Sequence, residues 1–78
     1  MRETNIHKVQ LQEIQKRLRE AITQSGIKQN VIAQELGVSA QTVSKYMRCN
    51  IFPALDTLAK LCILTDVSAD YILGIKNE

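Results

Sequence analysis

Residues 28–47 read KQNVIAQELGVSAQTVSKYM, and their spacing decides the fold. Ile32, Ala33 and Leu36 fall on one face of a short helix spanning Lys28 to Leu36, and Val43 and Met47 fall inward at i, i+4 on a second, Ala40 to Met47. Between them stands Gly37-Val38-Ser39. Gly37 supplies the positive φ that ends the first helix, and Val38 plugs the corner. The Ser39 hydroxyl caps the second by accepting from an N–H two or three residues on. Two helices that cross steeply leave little room at their contact, which is why Ala33 is small and why Val43 must fix one against the other. That clamp leaves Ala40, Gln41, Ser44 and Lys45 on the opposite, polar side.

The same punctuation extends outward. Upstream, Leu11, Ile14, Leu18, Ala21 and Ile22 form one helical stripe, with Gln12, Lys16, Arg17 and Arg19 on the other side and Ser25-Gly26 as the stop. Asn5 to Gln10 extends this helix backward, with Thr4 or Asn5 as its cap. Downstream, Cys49 to Pro53 is a loop, and Pro53 is pre-set for the first turn of a helix over Leu55 to Leu64, with Leu55, Leu58, Ala59 and Cys62 inward. Thr65-Asp66-Val67 breaks that helix. Ser68 caps a last one through Leu73, and Gly74 ends it. No segment alternates with period 2. The expectation is an all-α, compact five-helix bundle forming a single helix-turn-helix domain over 1–78, with its core at about 10–74.

Composition narrows the function. Hydrophobic residues make up 45 %, ordinary for a folded domain, while Phe52, Tyr46 and Tyr71 are the only aromatics, so aliphatic side chains must build the core. The net charge is only +2, but it is unevenly spread. Within 1–50, eight Lys/Arg face Glu3, Glu13, Glu20 and Glu35, whereas 51–78 hold Lys60 and Lys76 against Asp56, Asp66, Asp70 and Glu78. A basic front half suits a face shown to a polyanion, and chance scatter of few charges is the alternative. No apolar run approaches the ~20 residues that span a bilayer, and the polar N-terminus lacks a signal peptide's apolar stretch, so a soluble, cytoplasmic chain without a membrane partner is expected. Cys49 and Cys62 make no disulfide framework, and with His7 as the single histidine no zinc site can be assembled. Nucleophile–base pairs, paired carboxylates and a glycine-rich phosphate loop are all missing, so neither an enzyme, nor a cofactor, metal or small-molecule ligand is expected.

The run Gln29-x-x-Ile32-Ala33-x-x-Leu36-Gly37-Val38-Ser39-x-x-Thr42-Val43-Ser44-Lys45-Tyr46 resembles the helix-turn-helix core of the lambda-Cro/Xre-like repressor family. Pro53-x-Leu55-x-x-Leu58-x-x-Leu61 and Val67-Ser68-x-Asp70-Tyr71-Ile72-Leu73-Gly74 are similar to that family's fourth and fifth helices, and the likeness runs unbroken over about residues 13–74. It implies a lambda repressor-like DNA-binding domain, of bacterial or phage type, with double-stranded DNA as partner and Ala40, Gln41 and Lys45 reading bases. Their chemistry agrees. Gln41 can pair bidentately with adenine, Lys45 can donate to guanine or reach a phosphate, and Ala40 or the Thr42 methyl can pack on thymine. The matching Gln of the family holds a phosphate, so Gln29 at a helix start, with Lys28 beside it, is expected to do the same. Thr42, Ser44, Arg48 and Asn50 complete the expected backbone contacts, while Arg17 and Arg19 fit a solvated face better. The departure lies after Tyr46, where many members carry Glu, then Arg or Asn, then Gly. Met47 removes a carboxylate that commonly braces the bundle, and Cys49 replaces the glycine, leaving Asn50 to take the left-handed conformation.

One recognition helix covers about half a site, so the resemblance implies a homodimer on a palindromic operator. Ile63, Val67, Tyr71 and Ile75 are the candidate contacts, unless they complete the monomer core instead. A transcriptional regulator acting as a repressor is the first expectation. A protein-interaction or antitoxin-like adaptor on the same fold is the second.

Overall fold

Among the described residues, Leu18, Ile22, Ile32, Val43, Leu61 and Ile72 are the largest fully buried side chains, and between them they draw on every helix found there. The computed structural model describes residues 9–75. In chain order these fold into α1 (Leu11–Ser25), α2 (Gln29–Leu36), α3 (Ala40–Arg48), α4 (Leu55–Thr65) and α5 (Ala69–Leu73), and no strand occurs among the described residues. α1 packs against α3, α4 and α5, while α2 packs against α3 and α4. Ala21, Ala33, Leu36, Tyr46 and Leu58 fill the remaining core. Aliphatic chains with few rotamers suit such thin elements, because each must bury one stripe against two neighbours.

The turn chemistry is as expected at most junctions. Ser39 and Ser68 cap α3 and α5, their hydroxyls accepting from the Thr42 and Tyr71 N–H groups at 3.1 Å each. Gly26, Gly37 and Gly74 hold φ of 73°, 75° and 77° at the ends of α1, α2 and α5.

Three expectations are corrected. α1 starts at Leu11, with Gln10 extended at φ −134°, ψ 125°, so Val9 and Gln10 do not prolong it. Thr4, Asn5 and His7 lie outside the described residues. Leu11, at 58 % exposure, begins the helix but not the buried stripe, which starts at Ile14. Pro53 precedes α4 by one further residue, and Ala54 takes the capping place. α4 itself is rotated relative to expectation. Leu58 and Leu61 are buried and Cys62 is half-buried, whereas Leu55 is 84 % exposed and Ala59 is exposed. The reason is composition: α4 carries Leu55, Leu58, Ala59, Leu61, Cys62, Ile63 and Leu64, apolar almost all round, so spacing alone could not choose its inner face.

Candidate nucleic-acid interface

The site begins with the bend. Gly37 donates its N–H to Gln34 O at 3.3 Å, and Val38 donates to Ala33 O at 3.0 Å, a pair of bonds that closes α2 and throws the chain sideways. Ala33 is buried at the crossing, and Val38 is half-buried against the core. Ser39 then starts α3, and its Oγ also shares a hydrogen bond of 2.9 Å with Thr42 Oγ1. Val43 and Tyr46 point inward and Met47 packs beside them. What faces out is Ala40, Gln41, Lys45 and Arg48, all exposed, with Thr42 and Ser44 half-buried between. The Arg48 guanidinium donates to Ser44 Oγ along the same edge. The outer face of α3 is therefore open along its length. Thr42 is partly committed, since its hydroxyl already serves the Ser39 cap.

Lys28 and Gln29 sit exposed at the start of α2, where Lys28 takes the capping place in an extended conformation and no side chain caps the helix. The opening N–H groups of α2 are thus available to an outside acceptor, with the positive end of the helix dipole behind them. At the far end of α3, Asn50 adopts φ 54°, the conformation expected of it in place of glycine, and its side chain is exposed. Cys49, also exposed, stays at φ −121°.

Sequence reasoning missed what holds this end together. Gln15 of α1 is buried, and its Nε2 donates to Lys45 O at 3.3 Å and to Tyr46 O at 3.1 Å. Its Oε1 accepts the Asn50 N–H at 3.2 Å. One turn along α1, Arg19 Nη1 donates to Met47 O at 3.3 Å, so Arg19 braces α3 rather than merely facing solvent. A signal was present: Gln15 falls three residues before Leu18 and seven before Ile22, on the buried stripe itself, where an amide is costly unless bonded. Arg17 is half-buried and lies against the end of α5, its Nη1 2.9 Å from where a side chain at Gly74 would begin.

Tyr46, the other group at this junction, has its phenol held above the usual range by burial and, secondarily, by the Asp56 charge. Burial likewise pushes the Cys62 thiol up. Among the described residues no cluster of His, Cys, Asp or Glu could hold a metal ion, and no helix is long and apolar enough to cross a membrane. A shallow groove between α2 and α4 is lined by Glu35, Leu36, Lys60, Ile63 and Leu64. Ile63 and Ile75 are 82 % and 68 % exposed, whereas Val67 and Tyr71 are half-buried and complete the core.

Comparison with known proteins agrees with this geometry. The HTH-type transcriptional regulator ImmR of Bacillus subtilis (strain 168) is 43 % identical over 63 residues, which cover 81 % of this chain and 49 % of that protein. The chain thus spans about half the length of this relative. No solved structure matches it. A helix-turn-helix family profile matches residues 16–72, and the bend, cap and exposed α3 face just described lie inside that span, so the chain belongs to the helix-turn-helix family of Cro/C1 type.

Proposed function

We propose that this chain is a sequence-specific DNA-binding transcriptional regulator, one that represses by occupying a palindromic operator as a homodimer. The observation that carries the reading is the open outer face of α3, where Ala40, Gln41 and Lys45 stand clear of the protein's own side chains. A helix with such a face fits a major groove ~12 Å wide. Gln41 pairs with adenine, Lys45 with guanine, and Ala40 packs on a thymine methyl. Lys28 and Gln29 hold a phosphate at the uncapped start of α2, and Thr42, Ser44, Arg48 and Asn50 take the neighbouring backbone. Ile63 and Ile75 supply exposed apolar surface for a second copy, with Val67 and Tyr71 at its margin. The relative named as a transcriptional regulator supports the regulatory role.

Selection from a random duplex pool with the purified protein tests this. The expected product is a motif with dyad symmetry, its half-sites about one duplex turn apart, ~34–36 Å. Enrichment of no motif overturns the reading and favours an adaptor on the same fold. A reporter carrying the selected site should be silenced by the protein, and unchanged expression overturns the repressor role.

A further inference from the structure

An α-helix leaves its last four carbonyls without intrahelical donors. In α3 these belong to Lys45, Tyr46, Met47 and Arg48. The other helices each close on a left-handed residue, namely Gly26, Gly37, Asp66 and Gly74, but α3 ends on Cys49 outside that region. Cys49 N–H supplies one local bond, to Lys45 O at 2.9 Å. The remaining donors come from α1, through Gln15 to Lys45 O and Tyr46 O and through Arg19 to Met47 O. The opposite end of the Gln15 amide takes the Asn50 N–H, fixing the residue that turns the chain away from α3. Gln15 is 7 % exposed, and each of its three bonds joins residues 30 or more positions apart.

We propose that Gln15 is a positioning residue for base reading, locking the tilt and axial position of α3 so that Gln41 and Lys45 meet base edges. The proposal rests on the DNA-binding reading above. Its logic is a difference in tolerance. Direct readout demands hydrogen-bond geometry at fixed base edges, whereas long Lys and Arg side chains follow a phosphate over a wider range. Val43 and Tyr46 anchor α3 by packing whether or not the amide is present, so removing the tie lets a folded helix rock. Sequence preference is then lost before general affinity.

The test is Gln15→Met, which keeps length and burial but removes the donors and the acceptor. Binding to the selected duplex should weaken by about tenfold or more. Binding to random duplex should stay within about twofold. Amide exchange should quicken at Asn50 while Val43 stays protected. Equal binding to wild type on both duplexes, or an equal loss on both, overturns the proposal. Should Gln15→Met fail to fold, exchange in the wild-type protein decides: a protected Asn50 N–H supports the tie, and exchange at the unprotected rate overturns it. If wild type enriches no motif, the DNA reading fails by itself, and Asn50 exchange still tests the tie.

Discussion

Gln41 and Tyr46 sit five residues apart on one short helix and answer to opposite environments. Gln41 is exposed, so its truncation costs the fold almost nothing, and any loss on DNA is a loss of recognition. Gln41→Ala is expected to weaken binding to the selected duplex by ~1–3 kcal/mol while leaving random duplex nearly unchanged, which paired titrations will show. Tyr46 is buried, and its phenol is raised by that burial, with Asp56 adding to it. Below the unfolded tyrosine value of about 10, both states keep the proton and the contribution of Tyr46 is whole. As pH climbs past that value the unfolded chain ionises first and holds fewer protons, so stability falls. Denaturant midpoints between about pH 8 and about pH 11 should therefore drop more steeply in wild type than in Tyr46→Phe. At this scale the exposed residues of α3 were legible, because a polar face opposite Val43 has only one side to occupy. Gln15 was not. Its role depends on which helix end lies beneath it, and that is set by the packing of α1 on α3 rather than by neighbours along the chain.

Elements here are punctuated by single residues whose costs differ in kind. A Cβ at Gly37 would meet nothing within 4 Å, so Gly37→Ala is penalised only through its φ of +75°. The expected loss is about 1–2 kcal/mol, with the turn geometry preserved. Ser39→Ala instead removes an acceptor, exposing the Thr42 N–H and breaking the hydroxyl bond to Thr42. Its expected loss is about 1 kcal/mol. Urea unfolding of both variants checks the values, and unchanged midpoints for either would remove that residue from the account of the bend. Caps and left-handed stops were readable in sequence because each rests on one residue's own chemistry, as Ser39, Ser68 and Gly37 show. The inner face of α4 was not, since Leu55 and Leu58 look alike until the packing of the other helices buries one of them. The start of α1 was not readable for a related reason: Val9 and Gln10 are compatible with a helix, but Gln10 is extended and no side chain caps the helix there.

At the scale of the whole molecule, the basic half and the apolar surface proposed for a second copy lie on different parts of the chain. Lys28, Lys45 and Arg48 belong to the half that forms the bend, while Ile63 and Ile75 belong to the acidic half. A dimer built through the second half would leave two copies of the first free to face one duplex, which is the arrangement a palindrome requires. Ile63 is 82 % exposed, so Ile63→Glu should leave the monomer's core and helical content intact. It places a charge in the surface proposed for the second copy, where burial without a partner is costly. Leu55, 84 % exposed and eight residues earlier on the same helix, provides the comparison, since Leu55→Glu adds the same charge away from the proposed contact. Sedimentation at micromolar concentration should show a dimer for wild type and Leu55→Glu and a single 8.8 kDa species for Ile63→Glu. Loss of the dimer in Leu55→Glu alone would move the interface to the start of α4, and an 8.8 kDa species for wild type would leave each copy to bind a half-site by itself.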